Sequence, residues 1–352
     1  MRKSVVFAVA DFLPLVAIAQ RAEEAGYYRV WTTETPGRDA MVRALTIALR
    51  TSSIQVGTGI AYAFTRAPLA MAATAADINV ASGGRFSLGI GAGTQGMRTR
   101  WYGIDDFDHP ATRLVEYGEL LRQSWASAKS LNFEGRFYRA DYGELDGLRP
   151  AVPLWGSGTN PTMLRIAARF FDGVALHPLA TNLRYLDDIA LPALQTGSAD
   201  RITRPEVAAW QMTSVHPDEA EAVRRAQYSL AFYFSTPSYG TVADATGWGD
   251  VAERIRETYR SGGPRWDQLA TMIPDEMVKQ FCLVGTPSNV RQRWESKERA
   301  LTERGVTETT YQIIASADTP EESYAHFLGA VDALAPKRPR SSGTGPEAMT
   351  CG

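Results

Sequence analysis

The chain has 352 residues, with 37 Lys and Arg against 39 Asp and Glu, a formal net charge of −2. That length suits one α/β barrel of ~250 residues plus insertions, and the balanced charge argues against a general binder of nucleic acid or anionic membranes. Two cysteines, Cys282 and Cys351, make neither a disulfide framework nor a metal-ligand set, so a reduced, cytoplasmic protein without metal is expected.

The first segment, SVVFAVAD, reads as a buried strand, and Asp11 breaks its apolar run, which disfavours a signal peptide. No stretch of about 18 apolar residues follows, so no membrane span is expected. A helix comes next, LPLVAIAQRAEEAG, with Pro14 near its start and Gly26 past its end. YYRVWTTE is the second strand, RDAMVRALTIALRT the second helix and SIQVGTGI the third strand. The third helix opens at Pro68 and stops at Gly83-Gly84; RFSLGIGAG is the fourth strand and ATRLVEYGELLRQSWASA the fourth helix.

These strands are near-continuous apolar runs, as parallel strands covered on both faces must be. The alternation resumes with AVPLWGSG, PTMLRIAARF, FDGVALHP and a helix around LRYLDDIALPALQ. PEVAAWQMTSV makes a seventh strand, TETTYQIIA an eighth, and PEESYAHFLGAVDALA a closing helix. Eight units predict a (β/α)8 TIM barrel over residues 1–335, with a doubly wound open sheet as the alternative on pattern alone. Two stretches break the alternation, at about 129–150 and 216–274, and read as insertions that cover a site or build a subunit contact. Residues 336–352, rich in Pro, Gly and Ser, read as a disordered tail.

In such a barrel the site forms where strands end. Those ends supply Asp11, Glu34, Thr35, Gly59-Ile60-Ala61-Tyr62, Gly91-Ala92-Gly93-Thr94, Ser157-Gly158-Thr159-Asn160 and His177. Glycines let a backbone approach a ligand closely, and GSGTNP opens into a helix whose N-terminus favours a phosphate. Neither glycine run has the spacing of a dinucleotide fingerprint, and no P-loop is present. Glu34 and Asp11 fit a general acid, a ligand holder, a helix cap or an ion-pair partner. Arg66 fits an anion site or a salt bridge at a helix start. Among the histidines, His177 suits the site, whereas His109, His216 and His326 read as loop or surface residues. Cys282 reads as core. Trp31, Trp101, Trp125 and Trp155 read as packing, with Trp101 and Tyr102 able to shape an apolar pocket.

As a set, SGGRFSLGIGAGTQ, RWYGIDDFDHPATRLVEYGELLRQSW, VGTGIAYAFTRAPLAMA and PLWGSGTNPTMLRIAARFFDGVALHP closely resemble the bacterial-luciferase-like superfamily, in its deazaflavin (coenzyme F420) branch. The resemblance implies a homodimeric barrel, with the cofactor across the C-terminal ends of the strands and a non-prolyl cis peptide at Gly59–Ile60. It implies that Gly59, Ile60, Ala61, Arg66, Gly91, Ala92, Gly93 and Thr94 line the cofactor. Ser157, Gly158, Thr159 and Asn160 would hold its phosphate-bearing tail. A deazaflavin transfers hydride at carbon and reacts poorly with oxygen, so the protein must position a small-molecule substrate and supply an acid or base. Glu34, His177 and Tyr62 are the candidates, with Asp11, Thr35 and Trp101 expected to face the substrate. Two departures narrow the substrate. Thr35 and Thr94–Gln95 stand where the branch's sugar-phosphate dehydrogenases carry histidine and glutamate, and Thr65-Arg66-Ala67-Pro68 where its pterin reductases carry histidine. Alternatives within the superfamily are an FMN-dependent monooxygenase and a barrel that binds or cyclises a ligand without redox chemistry.

Overall fold

The computed structural model describes residues 1–7, 11–106, 108–127, 129–143, 150–262, 265–314 and 320–336. The expected tail from 337 onward lies outside the described residues. Eight parallel strands close on themselves: β1 (Arg2–Phe7), β2 (Arg29–Thr32), β3 (Gln55–Thr58), β5 (Phe86–Gly91), β8 (Leu154–Gly158), β9 (Gly173–Leu176), β10 (Glu206–Val215) and β12 (Glu308–Ile313). The two-residue β4 (Ala61–Tyr62) continues the line of β3 and pairs with the end of β5. Closure runs through β10, which pairs β12 on one side and β9 on the other.

Helices cover the outside, and their boundaries follow local chemistry. On α1 (Phe12–Glu24), Leu15, Ile18, Ala19 and Ala22 repeat at helical spacing and are buried. The carboxylate of Asp39 starts α2 (Ala40–Arg50) by accepting from Met41 N at 2.8 Å and Val42 N at 3.0 Å, as an N-cap should. Pro68 opens α3 (Pro68–Ala81), and Gly83 and Gly84, with φ of 66° and 84°, end it in a conformation glycine adopts without strain. The outer ring continues through α4 (Gln95–Tyr102), α5 (Pro110–Ala126) and α6 (Pro161–Phe170). It is followed by α7 (Leu183–Tyr185), a π turn at Leu186–Ala190, and α8 (Leu191–Gly197).

The lumen is filled rather than hollow. Trp31, Trp155 and Trp210 meet inside it with Val6, Ala175 and Ala208, and their rings pack at 5.3 Å and 6.0 Å. Glycines face these rings because nothing larger fits: a Cβ on Gly57 would lie 2.7 Å from Trp31, on Gly173 2.4 Å from Trp155, and on Gly59 2.2 Å from Trp210. Beneath the tryptophans an ion pair is sealed into the barrel. Arg29 meets Glu308 at 3.1 Å, Trp31 Nε1 donates to Glu308 Oε1 at 2.9 Å, and the guanidinium lies 4.6 Å from the Trp31 ring centre.

The first insertion forms a hairpin of β6 (Leu131–Glu134) and β7 (Arg139–Tyr142), whose turn amides at Arg136, Phe137 and Tyr138 donate to Glu116 on α5. Beyond β10 the chain folds as α9 (Glu219–Phe234), α10 (Gly240–Thr246), α11 (Gly249–Gly262), α12 (Trp266–Ala270) and α13 (Asp275–Phe281). It then returns through a ninth parallel strand, β11 (Cys282–Gly285), beside the outer half of β10. Sequence reading counts eight strands and ends the excursion near 274; β11 raises the wall above β9 and holds the buried Cys282. After it, α14 (Pro287–Glu303) and α15 (Pro320–Ala333) complete the ring. One histidine expected at the surface is not there: His326 is half-buried on α15, with Nε2 2.9 Å from the Ile314 carbonyl.

Candidate functional site

The C-terminal mouth of the barrel is built from three walls. The first is the turn between β3 and β4. The Gly59–Ile60 bond is cis, in agreement with expectation, and Gly59 N donates to the Thr32 carbonyl at 2.7 Å. Glu34, at the end of β2, anchors this turn. Its Oε2 accepts from Tyr62 N at 3.0 Å, while Arg66 Nη1 donates to both carboxylate oxygens at 2.7 Å and 2.9 Å. Arg66 Nη2 also reaches Asp39 at 2.7 Å, and the Arg66 carbonyl accepts from Tyr117. Burial raises the Glu34 pKa and the adjacent Arg66 opposes that rise. Both oxygens of Glu34 are therefore engaged by protein, and both ends of the Arg66 guanidinium are paired with carboxylates.

The second wall consists of two glycine-bearing strand ends. At β5, Gly91 lies against Ile60, where a Cβ would meet Cδ1 at 2.2 Å. Ala92 is buried, and Gly93, at φ 67°, leaves its open side facing the Tyr62 ring. Thr94 caps α4 by accepting from Met97 N at 3.2 Å. At β8, Ser157, Gly158 and Thr159 are part-exposed and Asn160 caps α6 by accepting from Met163 N at 2.9 Å. Tyr185 buttresses this turn from behind, donating to the Thr159 carbonyl. The ten-residue α6 thus starts at the mouth with Pro161, which has no N–H, and with Met163 N and Leu164 N already bonded to Asn160, so Thr162 N is the first-turn amide left over at this positive helix end.

The third wall is aromatic. His177, one residue beyond β9, stacks on Tyr239 at 4.7 Å and 23°, and Tyr233 stands edge-on to it at 4.9 Å. Tyr233 is on α9, and Tyr239 follows in a short 3-10 turn, so the second insertion supplies this wall. All three residues are half-buried, and Tyr233 and Tyr239 pack against the hydrophobic core. Desolvation lowers the His177 pKa to about 3. The ring is therefore neutral near pH 7, and because Nδ1 accepts from Leu179 N at 3.3 Å, Nε2 carries the proton. Burial raises the phenols of Tyr62, Tyr233 and Tyr239. Across the mouth, Tyr62 packs edge-on to Tyr102 at 5.9 Å, with its hydroxyl 3.7 Å from the Met97 sulfur.

Of the remaining residues singled out by sequence, Thr35 closes a small turn with Arg38 through its backbone, and Trp101, 38% exposed, lies on α4. Asp11 is exposed at the start of α1, and its side chain makes no capping bond. Sequence reading misses Tyr233, Tyr239 and Gln312, and places Asp39 at the start of the second helix without its bond to Arg66. The aromatic run FYFSTPSY inside an insertion is the one local signal that marks the first two.

The chain matches the family model described as luciferase-like monooxygenase over residues 6–304. It is 30% identical over 304 residues to a 5,10-methylenetetrahydromethanopterin reductase of Archaeoglobus fulgidus, covering 84% of this chain and 87% of that one. A putative coenzyme F420-dependent oxidoreductase of Mycobacterium tuberculosis is 28% identical over 303 residues, covering 78% of this chain and 85% of that protein. Among solved structures, the coenzyme F420-dependent tetrahydromethanopterin reductase of Methanopyrus kandleri superposes with a TM-score of 0.77 at 21% identity, covering 95% of this chain and 97% of the other. A match over most of the chain, on a barrel whose strand ends form one mouth, establishes that the protein belongs to the luciferase-like monooxygenase family.

Proposed function

We propose that this protein is a coenzyme F420-dependent oxidoreductase that moves a hydride between the deazaflavin ring and a small, uncharged organic substrate. The observation that carries this reading is the mouth itself, where the neutral rings of His177, Tyr233 and Tyr239 meet and the start of α6 borders the end of β8. A flat ring system fits against such walls, and a phosphate fits the start of α6. Two buried atoms near the top of the lumen, Trp210 Nε1 and Gln312 Oε1, have no hydrogen-bond partner among the described residues, which suits a site that a polar ring completes. The names of the relatives point to the same cofactor.

In this reading Ile60 and Ala61 back the ring, Gly93 and Thr94 border it, and Ser157 to Asn160 hold the phosphate-bearing tail. The deazaflavin, when bound, supplies hydride transfer at carbon. The chain does the rest. Its aromatic walls exclude water and orient the substrate. His177 Nε2–H offers a neutral hydrogen bond, since a ring titrating at about 3 does not gain a proton near neutrality. Glu34 acts through the turn that it and Arg66 hold, and Tyr62 presents its ring toward Gly93. The protein is further proposed to be a homodimer, for which exposed Val42 and Leu49 on α2 and Val80 on α3 offer a surface; light scattering of the purified chain checks it.

Fluorescence titration of the purified protein with coenzyme F420 and with FMN tests the cofactor assignment. Saturable quenching by F420 at micromolar or lower concentration is expected. Tight binding of FMN with none of F420 would move the protein to the oxygen-using flavin enzymes of the family, and binding of neither would remove the redox reading.

A further inference from the structure

A cavity of about 310 Å³ opens at the N-terminal end of the barrel, opposite the mouth. It is lined by the start of β1, Tyr28 just before β2, Tyr311 on β12, part of α14 and the chain just past α15. That volume lies within the range of about 300–1,000 Å³ that small-molecule sites occupy. None of the residues placed at the mouth lines it.

The polar part of this lining is rich in donors and short of acceptors. Tyr28 Oη accepts from Arg2 Nη1 at 3.1 Å, and a guanidinium has only protons to give, so the phenol's own proton is left over. The Tyr311 hydroxyl makes no hydrogen bond among the described residues, and burial raises its pKa well above the usual phenol value, so it stays a donor. The cations differ from one another. Arg2 is paired with Glu206 at 2.6 Å and Lys3 with Glu298 at 3.0 Å, whereas Arg291 has no ion pair among the described residues. Its Nη2 donates to the Ala333 carbonyl at the end of α15, which leaves Nε and Nη1. Arg291 lies close enough to Tyr311 to act on it electrostatically. Glu295, the one carboxylate on the lining, is engaged by a partner of its own. The rest of the lining is flat or apolar: the Trp294 ring packs 4.3 Å from that of Tyr311, and Leu334 and Pro336 lie on the same cavity. A planar oxyanion matches the edge of a guanidinium and needs only donors around it. One uncommitted cation balances one negative charge, which favours a carboxylate over a phosphate carrying nearly two.

From this lining we infer a second binding site, for a small carboxylate with a flat apolar body: its oxygens accept from Arg291, Tyr28 and Tyr311, and its body lies against Trp294, Leu334 and Pro336. The site does not depend on which cofactor the mouth takes. A ligand bound there joins β12 and the entry to β2 to α14, so it stabilises the folded chain increasingly with its concentration.

Benzoate is the probe, titrated into the full-length protein by calorimetry, with benzamide and inorganic phosphate as controls. One benzoate per chain is expected, with a Kd of about 1 mM or tighter and binding of both controls at least about 10-fold weaker. The indole N–H resonance of Trp294, identified by its loss in Trp294→Phe, is expected to shift as benzoate is added to isotope-labelled protein. Tyr311→Phe removes a single oxygen and leaves the ring in place; it is expected to weaken benzoate at least about 10-fold. Arg291→Met is expected to abolish binding, with both folds checked by circular dichroism. If Arg291→Met does not fold, Tyr311→Phe decides. No benzoate binding to wild type, equal binding of benzamide, a Trp294 resonance that stays in place, or equal affinity of Tyr311→Phe and wild type overturns the inference.

Discussion

The two ends of this barrel treat charge in opposite ways. At the N-terminal end Arg29 and Glu308 form an ion pair inside the lumen, sealed above by Trp31 and Trp155. A cavity of about 310 Å³ beside that end, lined by Arg2, Lys3, Tyr28 and Trp294 among others, likewise holds spent charges on its strand side: Arg2 pairs with Glu206 at 2.6 Å and Lys3 with Glu298 at 3.0 Å. At the C-terminal end one wall is made of uncharged rings, and the single Arg66 guanidinium bridges the two carboxylates of Glu34 and Asp39 behind the turn. Charge at the first end fixes strands. At the second it fixes a loop, and the surface left for a ligand carries a neutral histidine and phenols. In a (β/α)8 barrel that division follows from geometry, since loops after the strands are free to vary while the opposite rim holds the closure together.

Removing a charge from the closed end should cost the most. Glu308→Ala leaves Arg29 buried without its partner and Trp31 Nε1 without its acceptor. A loss of about 3–5 kcal/mol in unfolding free energy is expected, measured by urea denaturation, with F420 affinity per folded molecule unchanged. The double variant Arg29→Met with Glu308→Leu should recover part of that loss, because a buried pair replaced by apolar groups no longer carries an uncompensated charge. If the single variant were neutral, the closed end would not be the stabilising one.

His177 gives an effect at the open end that is absent at neutral pH and grows only as pH falls. Its folded pKa of about 3 lies below its unfolded value near 6.5. Between those values the unfolded chain binds the proton and the folded one does not. Stability is then fully present above about pH 6.5 and falls as pH drops toward about 3, by at most about 1.4 kcal/mol per pH unit. His177→Asn should flatten this part of the profile; equal slopes in both proteins between pH 5 and 7 would show that the ring is hydrated in the folded state.

The barrel was legible in the sequence because each strand–helix unit carries its own local marks. Pro68, Asn160–Pro161 and Gly83-Gly84 start and stop helices with no help from distant residues. The strand ends were legible for the same reason. What the glycines touch was not: Gly57 and Gly59 are small because Trp31 and Trp210, from other strands, occupy the space beside them. Glycine reads as freedom for a ligand until the closed barrel shows the side chain already there. Glu34 was similarly readable as a charged strand end, but its engagement by Arg66 and Tyr62 N depends on the path of the β3–β4 turn. The aromatic wall was least legible, because α7, α8 and β10 separate His177 from the helix that carries Tyr233, and no periodic pattern links them. The short β11 was missed because its CLVG run is brief, although Thr286-Pro287 just after it announces a helix.

The smallest expected effect separates scaffold from site within a single type of interaction. Asn160 at the mouth and Asp218 at the start of α9 do the same structural work, each accepting a backbone N–H in the first turn of its helix at 2.9 Å. Replacing either by Ala removes one N-cap, so each variant should lose about 1 kcal/mol of stability. Only Asn160 lies at the C-terminal mouth, at the helix start to which the proposed function assigns the phosphate-bearing tail and where Thr162 and Met163 carry the first amides. Asn160→Ala loosens the orientation of those amides and should weaken F420 binding in the fluorescence titration, while Asp218→Ala should leave it untouched. Equal affinities in the two variants would mean that the α6 terminus is scaffold alone, and the phosphate-bearing tail would then have to lie along the β5 turn, where Thr94→Ala tests the same cap on α4.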